Sequence, residues 1–176
     1  MKMTRFEKQF VNGGRHSSRV AAEAERLVGV AGPSPGQRLL DVGCGNGAAA
    51  TRLAAAYGLD VTGVDVDPEQ IRSAGASGAG RFLVADATRL PFSDGEFDLV
   101  HTSKTTHHIR DWRRALAEMH RVLRPGGHLV YTDFVAPFGD RLPTRSALDR
   151  FIAGHGLTTV RQSGSPVRRT VVLRKP

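Results

Sequence analysis

The chain has 176 residues, a formal net charge of +8 and a single cysteine. This length is enough for one domain with a sizeable core and too short for a second catalytic domain. The apolar runs are shorter than the roughly 20 residues of a membrane span, the charged start lacks the apolar centre of a secretion signal, and one cysteine cannot form an internal disulfide. We therefore expect one cytoplasmic domain, residues 1–176, as a monomer or homodimer without a membrane partner.

The first predicted element is an amphipathic helix at residues 17–30, within an N-terminal helical segment at residues 1–36. The segment GPSPG follows it and predicts its end. Apolar residues recur at helical spacing and predict one buried face, which contains Val20, Ala21, Ala24, Leu27 and Val28.

From residue 38 onward, short apolar runs alternate with helical patterns. RLLDVG, LDVTGVD and GRFLVADA predict strands, and GAAATRLAAAYG and PEQIRSAG predict the helices between them. In the second helix we expect Asp67 to be the N-cap and Pro68 the first helical residue. Strands and helices in this order predict an α/β core at residues 37–176, with a parallel sheet and right-handed crossovers.

The alternation continues to the end of the sequence. FDLVHTS and GHLVYTDF predict strands, and the helix between them begins near Asp111 and ends at RPGG. A last helix at residues 143–154, with Leu148, Phe151 and Ile152 as its apolar stripe, precedes TTVRQSG and RTVVLRK, which predict an antiparallel pair. The helix that begins near Asp111 has its own core-facing stripe of Trp112, Ala115, Leu116, Met119, Val122 and Leu123.

The positive charge is concentrated in the last fifth of the chain. Residues 141–176 carry eight Lys/Arg and one Asp/Glu, whereas residues 37–140 carry eleven and thirteen. A basic face of this kind suits an anionic partner such as RNA. It is also the pattern of a solvated surface in an arginine-rich chain, and both interpretations stay open.

The stretch LLDVGCGNG, residues 39–47, ends a predicted strand in a glycine-rich turn. Glycines let the backbone approach a nucleotide, and the next helix presents free N–H groups there. Gly43, Gly45 and Ala48 also satisfy the dinucleotide-binding pattern, and Asp65, 22 positions after Gly43, is placed to hold a ribose diol. These residues predict a nucleotide cofactor and leave a nicotinamide oxidoreductase open.

Further motifs follow in a fixed order: DVGCGNG, VADATRLPF, DGEFDLV and HRVLRPGGHLV. With this set, residues 38–134 resemble class I S-adenosylmethionine-dependent methyltransferases, especially the small domains that act on quinones, sterols and other metabolites. The resemblance implies a Rossmann-like methyltransferase fold: a doubly wound, mostly parallel seven-stranded sheet with an antiparallel last strand and helices on both faces. It also implies S-adenosylmethionine as cofactor, S-adenosylhomocysteine as product and no metal.

The resemblance assigns a part of the cofactor to each motif. It implies that Asp65 holds the ribose diol, Val66 packs on the adenine, and Asp86 accepts from the adenine amino group beside the Ala87 backbone. Thr102 and Ser103 would meet the methionine end and face the substrate. The methionine part would be lined by Asp41, near its ammonium, and by Gly43, Cys44, Gly45 and Gly47.

Three of these residues have a structural alternative. Asp41 and Asp86 alternatively serve as turn or cap residues. We expect Cys44 to be a small loop residue rather than a nucleophile, because it lies where backbone would contact the cofactor.

Methyl transfer from a sulfonium needs alignment and desolvation, and a base only when the acceptor must lose a proton. His107 and His108 follow the fourth predicted strand and are candidates for that base. A packing or cofactor-side role is the alternative for both. The sequence HTSK after this strand lacks the Asn/Asp-Pro-Pro-aromatic motif of exocyclic base-nitrogen methylation, and cytosine C5 methylation needs a cysteine nucleophile, whereas the single cysteine lies in the glycine loop.

The resemblance leaves the cover of the site and the acceptor open. Only VAPFGDRLP follows the fifth strand, where many metabolite methyltransferases insert a covering segment. The remaining candidate is FEKQFVNGGRH, in which Phe6 and Phe10 would cover the cleft and Arg15 or His16 would reach the cofactor carboxylate; alternatively this segment anchors the first helix. We expect methyl transfer to O, N or C of a small-molecule acceptor. The alternatives are an RNA or protein methyltransferase that uses the basic C-terminal region, and a non-catalytic S-adenosylmethionine-binding module.

Overall fold

The computed structural model describes residues 14–76, 80–136 and 142–176, with side chains from residue 17 onward. The strands are β1 Arg38–Val42, β2 Asp60–Asp65, β3 Arg81–Val84, β4 Phe97–Ser103, β5 Leu123–Phe134, β6 Thr158–Ser165 and β7 Arg168–Arg174. The helices are α1 Gly14–Gly29, α2 Ala48–Tyr57, α3 Pro68–Gly75, α4 Trp112–Val122 and α5 Arg145–Gly154, and a 3-10 turn spans Thr106–His108. None of the helices in these ranges is long and apolar enough to cross a membrane.

The strands form one seven-stranded sheet in the order β3-β2-β1-β4-β5-β7-β6. Strands β1 to β5 pair in parallel, and β7 lies antiparallel between β5 and β6. This topology confirms the predicted fold class, including the antiparallel last strand. The sequence predicted GSP as the turn between β6 and β7, but only its proline lies there: the turn is Pro166 and Val167, and Gly164 and Ser165 are the last paired residues of β6.

The sheet is covered by helices on both faces, as predicted. Side chains alternate between the faces of a strand, so Leu39 and Leu40 of β1 enter different clusters of buried residues. One cluster contains residues of α4 and α5, such as Trp112 and Leu148. The other contains residues of α1 and α2, such as Leu27. Strand β6 is exposed along its whole length.

The helix ends follow local side-chain chemistry. The Asp67 carboxylate caps α3 by accepting from the Glu69 amide, with Pro68 at the first helical position, as predicted. The Asp111 carboxylate accepts from the Arg114 amide at the start of α4. The last helix begins at residue 145 rather than 143, because the Thr144 hydroxyl caps it. Prediction of the RPGG segment was wrong in one respect: this segment lies inside β5, since α4 already ends at residue 122 and Leu123 is extended.

The carboxyl ends of β1 to β5 meet at one edge of the sheet, because these strands are parallel. Strand β7 runs the other way and begins at this edge, where Arg168 pairs with Phe134 and Arg169 with Asp133. Ligands of open α/β sheets bind at this edge, where the strand order reverses. Here the reversal falls between β1 and β4.

Candidate active site

A cavity of about 650 Å³ opens at the carboxyl edge of β1 to β5. This volume is in the range of pockets for small molecules and cofactors. Nine of the eleven predicted cofactor residues line it: Asp41, Gly43, Cys44, Gly45, Asp65, Val66, Asp86, Ala87 and Ser103. His107 and His108 line it as well. The fold therefore brings together residues that are up to 67 positions apart in the sequence, from Asp41 to His108.

The glycine loop passes close to its neighbours. Gly43 has a φ of +74°, and a Cβ there would lie 2.8 Å from the Cβ of Thr105. The amides of Gly43 and Cys44 both donate to the Val64 carbonyl, at 2.8 and 3.0 Å. A side chain at position 43 would push the loop off β2 and β4, which explains why glycine is needed here.

Asp41 and His101 form a buried pair at the floor of the cavity. Asp41 Oδ1 lies 2.7 Å from His101 Nδ1, and the side chains of Asp41 and His101 are only 3% and 2% exposed. Asp41 Oδ2 and His101 Nε2 are buried without a hydrogen-bond partner among the described residues. A buried carboxylate oxygen of this kind needs a donor, so the position suits a ligand ammonium.

Asp65 is the last residue of β2 and lines the cavity. Its Oδ2 accepts from the Gly45 amide at 3.0 Å, and its Oδ1 accepts from the Asp67 amide at 2.9 Å. Burial raises the pKa of Asp65, and these two hydrogen bonds oppose that rise. Each oxygen keeps a further lone pair, so the fixed carboxylate is suited to two neighbouring hydroxyls. Val66 beside it is 56% exposed and offers an apolar surface to a flat ring.

Asp86 has the turn role that the alternative interpretation predicted, and it also lines the cavity. Its Oδ1 accepts from both the amide and the hydroxyl of Thr88, each at 2.8 Å. The Thr88 amide, followed by the Thr88 hydroxyl, lowers the pKa of Asp86. Its carboxylate is therefore anionic and oriented before any ligand contact.

Two predicted residues do not line the cavity. Thr102 is buried, and its hydroxyl donates to the Val42 carbonyl at 3.0 Å, so it joins β4 to β1 instead of facing a substrate. Side chains alternate along a strand, so His101 and Ser103 reach the cavity whereas Thr102 points away. Gly47, with φ +78°, lies against α3, where a Cβ would be 2.9 Å from the Ala74 Cβ. Its role in the structure is close packing of α2 on α3.

A hydrogen-bond network that the sequence did not reveal holds His107. Asp133, 1% exposed at the end of β5, lies with Oδ1 2.6 Å from His107 Nδ1. Its Oδ2 accepts from the Thr106 hydroxyl at 2.6 Å and from the His107 amide at 3.2 Å. The Thr106 hydroxyl is also 2.9 Å from the Tyr131 hydroxyl. With Nδ1–H donating to Asp133, Nε2 of a neutral His107 is left as an acceptor.

The ring of His107 is also fixed by packing. It lies 3.9 Å from the His108 ring and meets the Phe134 ring edge-on at 5.1 Å, centroid to centroid. Both neighbours line the cavity. His107 is thus oriented by a buried carboxylate on one side and by rings on the other, as required of a general base.

Cys44 is a buried thiol in the loop. Burial raises its pKa far above the ordinary range, and the charges of Asp41 and Asp65 add to the rise. The thiol is therefore protonated and a poor nucleophile, as expected for a small loop residue.

The predicted cover falls only partly within the described residues. Phe6 and Phe10 lie outside them, as do the side chains of Arg15 and His16. Helix α1 does contribute to the cavity wall through Ser17 and Val20. The side-chain Nδ2 of Asn46 donates to the Ser17 hydroxyl at 3.2 Å, which links α1 to the glycine loop. Within the described ranges, no group of three or more His, Cys, Asp or Glu is arranged to hold a metal ion.

The basic C-terminal region makes many contacts inside the protein. Arg168 pairs with Glu23 of α1, and Arg169 pairs with Asp149 at 2.6 Å. Lys175 donates to the carbonyls of His120 and Leu123, at 2.8 and 2.7 Å. The two arginines are paired with carboxylates, which offsets part of the charge that the region offers to a nucleic acid, and Lys175 is held against the protein by its two carbonyl partners.

Comparison with known proteins identifies relatives of this chain. Residues 40–131 match the methyltransferase domain family. The O-methyltransferase cnsE of Penicillium expansum is 40% identical over 119 residues, which are 63% of this chain and 43% of that protein. The 27-O-demethylrifamycin SV methyltransferase of Amycolatopsis mediterranei is 40% identical over 118 residues, again 63% and 43%. The solved structure of a geranyl diphosphate methyltransferase in complex with SAM has a TM-score of 0.77 at 18% identity, over 94% of this chain and 92% of that one. The chain thus spans less than half the length of the two curated relatives.

Proposed function

Because the chain belongs to the class I S-adenosylmethionine-dependent methyltransferase domain family, we propose that it transfers a methyl group from S-adenosylmethionine to a hydroxyl oxygen of a small molecule. The observation that carries the choice of oxygen is the Asp133–His107 pair, 2.6 Å apart at the wall of the cavity. A neutral hydroxyl is a poor nucleophile until its proton is removed, whereas a neutral amine already has a nucleophilic lone pair, so a hydroxyl acceptor gains most from a held base.

The residues of the cavity fit the cofactor. Asp41 Oδ2, buried and without a partner among the described residues, suits the ammonium of the methionine part. Asp65 suits the ribose diol, Val66 the adenine face, and Asp86 the adenine amino group. When bound, S-adenosylmethionine supplies an electrophilic methyl group whose leaving thioether needs no proton.

The acceptor would lie at the other end of the cavity, near β4 and β5. Nε2 of His107 would take the proton of the acceptor hydroxyl, and Asp133 would stabilise the imidazolium that forms. His108 and Phe134 would keep water away from the reacting atoms. Methylation at nitrogen or carbon remains the broader expectation from the sequence, and the relatives named O-methyltransferases favour oxygen.

Calorimetry with S-adenosylhomocysteine tests the cofactor half. In Asp65→Ala, loss of two hydrogen bonds to a charged acceptor should weaken binding by about a hundredfold or more. Asp60→Ala removes the same side chain at the exposed opposite end of β2, outside the cavity, and should bind as the wild type does. No binding to the wild-type protein, or equal binding to Asp65→Ala, would refute the assignment.

Transfer of labelled methyl from S-adenosylmethionine to a panel of phenols and other hydroxylated metabolites tests the reaction. Turnover rejects a non-catalytic binding module. Labelling of RNA or protein, with no small molecule labelled, would replace our proposal with the alternative of a macromolecular acceptor. A fluorescence titration that compares S-adenosylhomocysteine with NADH tests the alternative of a nicotinamide oxidoreductase, which predicts that NADH binds more tightly.

A further inference from the structure

Lys104, directly after β4, has an unusual backbone conformation. Among the described residues it is the single non-glycine residue with positive φ, at 55°. Residues with a side chain seldom adopt this conformation, and when they do they cluster at ligand sites, where surrounding structure holds them. Here the Lys104 amide donates to the Thr132 carbonyl at 2.8 Å, which fixes the backbone on β5.

The lysine lines the cavity close to the glycine loop. Val42 of β1 pairs with Thr102 of β4, so Lys104 lies two residues beyond that pair, beside the start of the loop. Thr105, the next residue, has its hydroxyl 3.3 Å from the Val42 carbonyl. Lys104 is thus near the end of the cavity where Asp41 also contributes its side chain.

The ammonium group of Lys104 has no carboxylate partner within salt-bridge distance in the described part of the chain. The carboxylates that act on it from a distance are already engaged: Glu23 with Arg168, and Asp133 with Thr106 and His107. Burial lowers the pKa of Lys104, and the charge of Arg168 adds to that, while Glu23 and Asp133 oppose it. A half-buried cation in this setting gains from an anionic ligand.

We propose that Lys104 binds a ligand carboxylate in this cavity. The inference rests on the proposed function, because it places Lys104 where the methionine part of S-adenosylmethionine and the acceptor would meet. A carboxylate can come from two sources there: the amino-acid end of the cofactor, or an acceptor that carries an acid group. Both would use the same charge-assisted hydrogen bond.

Two variants isolate the charge. Lys104→Gly removes the ammonium and is compatible with a φ of 55°, so it should fold at least as stably as the wild type, which thermal unfolding checks. Lys104→Arg keeps the charge. The first measurement compares calorimetric affinities for S-adenosylhomocysteine and its decarboxylated analogue. The second compares protocatechuate with catechol, which lacks the carboxylate, on protein saturated with S-adenosylhomocysteine.

If the cofactor supplies the carboxylate, Lys104→Gly weakens S-adenosylhomocysteine by about tenfold or more and the analogue by less than about twofold. If the acceptor supplies it, Lys104→Gly binds S-adenosylhomocysteine normally and loses a wild-type preference for protocatechuate over catechol. In either case Lys104→Arg retains most of the affinity. The inference is refuted, and the proposed function is not, if Lys104→Gly changes neither affinity ratio: S-adenosylhomocysteine to its decarboxylated analogue, and protocatechuate to catechol. Absence of binding of either phenol counts as an unchanged second ratio. Failure of the wild type to bind S-adenosylhomocysteine refutes the proposed function and this inference with it.

Discussion

The role of His107 gives the sharpest kinetic prediction. General-base catalysis contributes roughly 100- to 10,000-fold to a rate, so His107→Gln should lower kcat by at least about a hundredfold. Asp133→Asn should also lower kcat, by no more than His107→Gln does, because it removes the carboxylate that holds the ring of the base in its tautomer and orientation. An asparagine at this position would turn an NH₂ group toward one of the donors that the carboxylate now accepts from: Thr106, His107 and Phe134.

The two residues act as a unit, so their effects should not add. The double variant should be no slower than His107→Gln, since Asp133 has no base left to orient. Initial rates of S-adenosylhomocysteine formation measure this, with the best acceptor from the hydroxylated panel. Affinity for S-adenosylhomocysteine should stay within about twofold of the wild type in His107→Gln, because the residue belongs to the acceptor half.

Asp149→Asn is a matched control. This aspartate also forms a 2.6 Å ion pair, with Arg169, but its side chain is 51% exposed and lies outside the cavity. Its kcat should equal that of the wild type. A wild-type rate in His107→Gln would show that no base acts at this position. Additive losses in the double variant would show that Asp133 acts independently of His107.

Three further predictions concern stability and binding. Gly43→Ala should abolish most S-adenosylhomocysteine affinity in calorimetry, because φ is +74° and the new Cβ would lie 2.8 Å from the Thr105 Cβ, whereas Gly75→Ala, with open space around its Cβ, should leave affinity unchanged. Burial is the main reason that the pKa of His120 falls from 6.5 in the unfolded chain to about 4 in the folded protein. The unfolded state therefore binds the proton more readily, so the free energy of unfolding should fall as the pH drops from about 6.5 toward 4. Urea titrations should show a smaller fall over this pH range in His120→Gln, and an equal fall in both proteins would contradict the assignment. Trp112→Ala should lower the free energy of unfolding by about 3–5 kcal/mol, since the indole is 1% exposed in the core, and a loss below about 1 kcal/mol would mean that the core repacks.

The fold was largely predictable because its determinants are local. Each strand and helix has its own hydrophobic period, and capping residues such as Asp67 and Pro68 act within one turn. The motifs also placed Asp65 and Asp86 at the cavity, since Asp65 ends β2 and Asp86 follows the end of β3 in the same parallel sheet. The RPGG segment was predicted as the end of the helix, because proline and glycine usually mark a break between elements. In the structure β5 starts directly after the helix and includes RPGG.

The part of the cavity that we propose for the acceptor was harder to predict, because it depends on side-chain direction and on contacts between distant segments. Thr102 and His101 are neighbours, and only the alternation of the strand decides which of them reaches the cavity. Applied to β4, that alternation would have revealed His101 in place of Thr102. Asp133 is 26 residues from His107, and nothing near it in the sequence marks it as the partner of a histidine.

The reversed direction of β7 has a consequence for how this protein can diverge. Because β7 starts where β5 ends, the hairpin between β6 and β7 lies at the carboxyl end of β5: the Val135 amide donates to the Val167 carbonyl at 3.0 Å, and Val167 is 59% exposed. The glycine loop belongs to β1, at the other side of the strand reversal. Insertions in this hairpin would therefore lengthen the chain beside Phe134, which lines the cavity. They would reach the glycine loop only through α1, where Glu23 pairs with Arg168 and Ser17 accepts a hydrogen bond from Asn46.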